Sequence, residues 1–169
     1  LWEQLCQPWH LFRGRYDLVH GPAFVTPVLA LCKRVVTIHD LSFIRYPQYF
    51  RSVNRVYLNA LTKLSCSSAD MIITGTEFAA DEIQDVYGVP RSRIRVVPHG
   101  VDQRFKPLDE QQINRFRQEK HFPDKYILFL GTLEPRKNLV RLVQAYARAK
   151  LDGIPLVNAG GKGWYYEDV

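Results

Sequence analysis

Cysteine is scarce in this chain, with three residues in 169, at positions 6, 32 and 66. An odd number at such wide spacing gives no disulfide framework and no metal-ligand cluster. Free thiols in a reducing compartment are the default reading, which points to the cytoplasm. No window reaches the roughly 18 consecutive apolar residues that a membrane span needs, and no signal peptide is visible. There is no Asp-x-Asp pair to hold a metal. Internal repeats and low-complexity segments are absent as well. The glycines form neither a GxGxxG fingerprint nor a Walker loop, which would need two glycines five apart followed by Lys-Ser or Lys-Thr.

What is present suits a packed α/β protein. The apolar fraction is 46% and the aromatic fraction 12%, enough for a hydrophobic core. The net charge is +6, which favours anionic partners such as nucleotide sugars, nucleic acid or an anionic membrane surface. The chain opens on Leu1 and stops at Val169, where a new helix reads as beginning. It is therefore expected to be an internal piece of a longer protein.

Short apolar or β-branched runs at Tyr16–His20, Arg34–Ile38, Asp70–Thr74 and Arg93–Val97 are bounded by Gly, Pro or Asp and read as strands. Helical patterns lie between them. Val53, Val56, Tyr57, Ala60, Leu61 and Leu64 fall at the spacing of one apolar helix face. A second helix is expected between Thr76 as N-cap and Gly88 as the residue past its end, with Pro90 as a stop. Strands separated by helical crossovers predict a parallel sheet.

From Gln103 to Asp124 the composition turns polar, with a helix-like stretch at Asp109–Lys120. A fresh βαβ unit then starts with the strand Tyr126–Leu130. Its helix carries Leu139, Leu142, Val143, Tyr146 and Lys150, with Asn138 as N-cap and Gly153 closing it, and Ile154–Asn158 is the next strand. The expected organisation is a first Rossmann-like domain over residues 1–105, a linker with a short helix over 106–124, and the start of a second domain over 125–169.

Four segments could carry chemistry. The segment after strand Tyr126–Leu130 is Gly131-Thr-Leu-Glu-Pro-Arg-Lys-Asn138, expected to open a helix with Arg136 and Lys137. Cations at a helix N-terminus oppose the macrodipole. A bound phosphate or diphosphate would reconcile them with the free N–H groups there. The alternative is that both are solvated on a surface turn. His39-Asp40 sits at the carboxyl end of a parallel strand, where ligands bind in open α/β sheets. This histidine could donate a hydrogen bond to a sugar hydroxyl or hold a proton near neutral pH, or it could be structural, with Asp40 capping the following turn. Pro98-His-Gly-Val-Asp102 also follows a strand, with Gly100 allowing an unusual backbone; it reads either as a loop at a cleft mouth or as a plain turn. Ala159-Gly-Gly-Lys-Gly-Trp164 follows a strand, so its backbone could approach a ligand, while Trp164, Tyr165 and Tyr166 read as packing residues.

Taken in order, Val35–Leu41, Thr74–Ala80, Arg95–Asp102, Leu128–Asn138 and Gly160–Trp164 resemble glycosyltransferase family 4 over nearly the whole chain, with the nearest look to bacterial mannosyltransferases of polysaccharide and O-antigen assembly. The resemblance implies the α/β GT-B fold, two Rossmann-like domains with parallel sheets, both incomplete here. It implies a retaining transfer of a hexosyl group, mannosyl in the nearest members, from a nucleotide-diphosphate sugar with GDP or UDP as the base carrier. The acceptor would be a glycan or lipid-linked sugar, at the cytoplasmic face of a membrane. No metal, separate cofactor or nucleic acid is expected.

Residue by residue, His39 matches the histidine that contacts the donor sugar and is the catalytic candidate. Gly131 matches the glycine beside the donor phosphates, and Lys137 the lysine that neutralises the leaving diphosphate. Many members carry arginine directly after the glycine. Here it is Thr132, and Arg136 is the candidate second cation. His99, Gly100, Gly160, Gly161 and Lys162 complete the expected donor site. Family members carry a later pair of glutamates and an earlier Gly-rich strand-loop that this chain lacks, so the piece alone is expected to be inactive. The other readings are a basic α/β domain that binds a polyanion, and a sugar-nucleotide 2-epimerase of the same fold.

Overall fold

The computed structural model describes residues 2–50 and 52–163. The chain divides into two compact units, Leu1–Val101 and Asp102–Val169. The polar stretch 102–124 thus belongs with the second.

The first unit begins with helix α1 (Trp2–Arg13), followed by β1 (Leu18–Gly21), β2 (Lys33–Thr37), a single turn α2 (Ser42–Arg45), α3 (Ser52–Ser68), β3 (Met71–Thr74), α4 (Glu77–Tyr87) and β4 (Ile94–Val96). The strands form one sheet in the order β1-β2-β3-β4, every pair parallel. All four strands therefore end on one edge of the sheet. The core gathers Val36, Ile38, Leu41, Phe43, Cys66, Ile72, Ile83 and Ile94, each at most 2% exposed. Burial pushes the Cys66 thiol up to about 12, against the nearby Arg93 charge that lowers it. Asp70 ties two strands together by accepting from Lys33 Nζ at 2.7 Å and from the Arg34 N–H at 2.9 Å. The Lys33 bond and then the Arg34 bond hold its carboxyl below the usual range.

Helix α4 follows the sequence closely. The Thr76 hydroxyl accepts from the Ala79 N–H at 3.1 Å, and Gly88 ends the helix at φ 66°. Helix α3 forms where periodicity places it, but it buries the opposite face. Val53 and Val56 are 81% and 64% exposed, and Tyr57 and Leu64 are about half exposed. The face against the core is instead Leu58, Thr62, Ser65, Cys66 and the adjoining Ala69. At 100° per residue the two stripes lie on opposite sides of the helix. The small buried residues suit close approach, and Ser65 Oγ gains a partner by accepting from the Thr26 N–H at 3.0 Å. Helix α1 had no counterpart in the strand-and-helix reading. Gln4 clamps it to the unit, donating to the Thr26 carbonyl at 3.1 Å and accepting from the Val28 N–H at 3.0 Å.

The second unit contains α5 (Glu110–Lys120), β5 (Ile127–Leu130), a 3-10 turn at Pro135–Lys137, α6 (Leu139–Ala149) and β6 (Leu156–Ala159). Strands β5 and β6 pair in parallel. Asp109 caps α5 through a capping box with Gln112. Three local expectations need correction. Arg136 and Lys137 lie in the 3-10 turn and not in the helix. Asn138 joins turn to helix in a left-handed conformation, φ 57°, and its side chain makes no capping bond. The helix ends at Ala149 with Lys150 left-handed at φ 46°, and Gly153 serves the next turn at φ 75°.

Candidate functional site

In the first unit the carboxyl edge of the sheet brings several side chains together. His39 follows β2 and His99 follows β4, and their rings lie 5.6 Å apart, tilted by 35°. Phe24, from the loop after β1, meets the His39 ring edge-on at 5.9 Å. His39 Nε2 lies 3.1 Å from the Pro22 carbonyl. Asp40 does cap the next turn, accepting from the Ser42 N–H at 2.8 Å.

Two features of this edge carried no role in the sequence reading. A Cβ on Gly75 would stand 3.0 Å from His99 Nε2, so the missing side chain makes room for that ring. His20, at the end of β1, bonds Thr37 Oγ1 at 2.8 Å. The glycine was visible within its motif, but only the sheet order brings residue 75 to residue 99. Gly100 departs from expectation. It has no positive φ and a Cβ there would meet nothing within 4 Å, so nothing in its own backbone requires glycine.

In the second unit the loops after β5 and β6 run side by side. The Gly131 N–H donates to the Ala159 carbonyl at 2.9 Å, the Leu133 N–H to Gly161 at 2.9 Å, and the Gly163 N–H back to Leu133 at 3.0 Å. This contact explains two of the glycines. A Cβ on Gly160 would fall 1.9 Å from the Gly131 carbonyl oxygen, and one on Gly163 would fall 2.7 Å from that of Leu133. These glycines admit neighbouring backbone. Gly161 faces open space, and a Cβ on Gly131 would make only ordinary contact with the Phe129 ring at 3.7 Å. Lys162 pairs in register with Leu133 across the two loops. Trp164, Tyr165 and Tyr166 lie outside the described residues.

The two candidate cations of the turn, Arg136 and Lys137, differ in environment. Arg136 donates to the Glu134 carboxylate at 2.8 Å, and Glu134 is 3% exposed. A buried carboxylate needs such a partner, so the Arg136 charge is already engaged. Lys137 is exposed. Thr132 is exposed as well and brings no charge where an arginine was the comparison.

Residues 4–105 match the family model described as Glycosyltransferase Family 4. The chain belongs to this family. It is 30% identical over 162 residues to the O-antigen chain mannosyltransferase B of Escherichia coli, covering 94% of this chain and 42% of that protein. It is 27% identical over 136 residues to the serotype-specific mannosyltransferase WbdA of the same organism, covering 76% of this chain and 16% of that one. The chain thus spans less than half the length of these curated relatives. Among solved structures, Anabaena Alr3699/HepE in complex with UDP and glucose superposes with a TM-score of 0.71 at 17% identity, over 99% of this chain and 47% of that one. A glycosyltransferase from Rickettsia africae gives 0.59 at 15% identity, over 94% and 50%. The fold is accordingly the α/β, parallel-sheet fold of the GT-B glycosyltransferases, present here in part.

Proposed function

We propose that this chain is part of a retaining glycosyltransferase that moves a hexosyl group, mannosyl in the first instance, from a nucleotide-diphosphate sugar to a glycan or lipid-linked acceptor in cell-surface polysaccharide assembly. The observation that carries the reading is similarity to the O-antigen mannosyltransferase along 94% of this chain. The residue environments agree with it. The first unit offers His39 at the carboxyl edge of its sheet, where a sugar can be met. The second offers exposed Lys137, a cation able to stabilise the charge that develops on a departing diphosphate. Thr132, Gly161 and Lys162 of the second unit, and His99 and Gly100 of the first, are each proposed for the donor role as well. Arg136 acts there through Glu134 and the shape of the 3-10 turn. The expectation placed Arg136 beside Lys137 on the diphosphate, and its bond to Glu134 supports the indirect role.

No helix among the described residues is long and apolar enough to cross a membrane. Work at the cytoplasmic surface of a membrane, on a lipid-linked acceptor, is part of the proposal. The deciding experiment offers the full-length protein a panel of UDP-, GDP- and ADP-sugars, with calorimetry for binding and acceptor glycans for transfer. Binding and transfer from a GDP- or UDP-sugar are expected. Failure to bind any of the panel, with the protein folded, would reject the assignment.

A further inference from the structure

The apolar stripe of α3 faces away from the core, and a groove runs along one flank of it. Val56 and Ala60 lie exposed on that flank. Ile44 of α2 and Pro47 just after it stand opposite, and with Arg55 and Lys63 they line a cavity of about 480 Å³. The opposite wall belongs to the segment that leaves the carboxyl edge of β2, with Ile44 five residues beyond His39. The groove thus starts from the edge that holds the candidate histidines and uses none of them.

Its two cations stand apart from others in the unit. Lys33 is paired with Asp70 at 2.7 Å, Arg45 with Glu82 at 2.6 Å and Arg91 with Glu77 at 2.6 Å. Arg55 and Lys63 have no such partner among the described residues. They are the only charges on α3, which carries no Asp or Glu over its 17 residues. They sit eight residues apart, about 12 Å along the helix axis, a gap that two long side chains can close around a phosphate or diphosphate. A helix that lies on a bilayer spreads cations over a polar face opposite its apolar one. Here the opposite face, with Thr62, Ser65 and Cys66, is buried, and both charges are gathered in the groove. That arrangement suits one amphiphilic molecule with an anionic head.

We propose that this groove seats the lipid phosphate of the acceptor. Arg55 and Lys63 hold the phosphate or diphosphate, and Ile44, Pro47, Val56 and Ala60 take the first stretch of the hydrocarbon chain. This rests on the glycosyltransferase reading and deepens it by giving a lipid-linked acceptor a site in the first unit. The chain supplies apolar area removed from water, and the cations supply charge-assisted bonds that fix the head. It also accounts for an apolar stripe on α3 that the sheet does not use.

The test uses the full-length protein and farnesyl phosphate, an isoprenyl chain with a single phosphate. Farnesol and inorganic phosphate serve as its separate halves. Calorimetry should show farnesyl phosphate bound at least about tenfold more tightly than either half. Arg55→Gln and Lys63→Gln should each weaken it about tenfold, the worth of one charge-assisted hydrogen bond. Ala60→Trp should fill the groove and abolish binding. None of the three residues belongs to the core, so the variants should melt like the wild type and bind nucleoside diphosphate unchanged. In transfer to a lipid phosphate-linked glycan, either charge variant should raise the acceptor KM about tenfold at constant kcat. With the same glycan freed from its lipid, KM should not move.

Equal binding of farnesol and farnesyl phosphate, or full binding in all three variants, overturns the proposal. Loss of binding to phosphatidylglycerol vesicles in the charge variants, with farnesyl phosphate affinity unchanged, overturns it in favour of a bilayer surface. An Ala60→Cys thiol that reacts with a maleimide only after unfolding overturns it as well, by showing the groove to be covered by another part of the protein. Farnesyl phosphate bound as expected, by a protein that transfers from no nucleotide sugar, would instead overturn the glycosyltransferase reading while upholding the lipid phosphate site.

Discussion

In the first unit, strands β2 and β3 lie inside a four-stranded sheet, and Val36, Ile38, Ile72 and Ile83 are completely buried. In the second, two strands pair with each other, and among the described residues Leu139 alone of the apolar side chains is fully buried. A two-stranded sheet contributes little independent stability. The candidate chemistry divides along the same line. The first unit holds histidines on a rigid edge through ring contacts and an anchored loop. The second presents a lysine from a short turn shaped by an ion pair and by backbone contacts between two loops. Within this chain, the first unit thus contains a parallel core, and the second the one parallel pair that holds its two loops side by side.

The largest expected effect separates the roles of the two cations. In the full-length protein, Lys137→Ala should lower turnover at saturating donor by about 10²-fold or more, by analogy with losing one oxyanion donor. Its melting should change by only about 0.5 kcal/mol or less. Unchanged turnover would reject the diphosphate role. Arg136→Ala should act differently, because it leaves Glu134 buried without its partner. Destabilisation of the second unit by about 1–3 kcal/mol is expected, relieved when Glu134→Gln is added. A strong loss of turnover without loss of stability would return Arg136 to the role of a free cation.

The contrast in burial is tested next. Ile72→Ala should cost the first unit about 2–5 kcal/mol in denaturant unfolding. Hydrogen exchange should show slow amides in β2 and β3 and faster ones in β5 and β6. Equal protection in both sheets would break the comparison. The thiols give a simpler chemical readout. Exposed Cys6 should react with a thiol reagent within the mixing time, while buried Cys66 should react only as the first unit opens. The sign follows from its raised pKa: the neutral thiol is the buried form, so its contribution is complete below the unfolded value near 9.0 and is lost as pH rises towards about 12. Rapid reaction of Cys66 at neutral pH would show that the core is looser than its burial indicates.

The smallest effect concerns α3. Thr62 is completely buried and its hydroxyl has no partner among the described residues. Thr62→Val should stabilise the first unit by about 1 kcal/mol, since a buried hydroxyl without a hydrogen bond is costly. A loss of stability would mean that the hydroxyl is satisfied in solution.

Much of the architecture could be read directly. Short β-branched runs between helical stretches gave the strands of both units to within a residue or two, and Thr76 and Gly88 marked the ends of α4. Such signals are local: a cap, a turn or a run of strand formers acts on its own few residues. The order of the five family segments was also local information, and it sufficed to indicate the family. Helix α3 is the instructive failure. Its apolar stripe was real, but periodicity alone does not say which side meets the sheet. Close approach selected Ser65, Cys66 and Thr62, and left Val53 and Val56 outside.

The candidate site divides in the same way. His39 and Lys137 were visible because each follows a strand within a recognisable segment. That Arg136 is bound to Glu134 was not visible, because spacing says nothing about the burial of a carboxylate two residues away. Nor could Gly160 and Gly163 be assigned, since their demand for space comes from a loop some thirty residues earlier. The sequence by itself determined the strands and most of the helices, their parallel arrangement, the family and the residue types available for the site. Only the tertiary structure decided which helix face is buried and which cation is engaged by a carboxylate. The physical reason is that these last properties depend on desolvation and on hydrogen-bond partners brought close by folding, and a linear pattern carries no record of either.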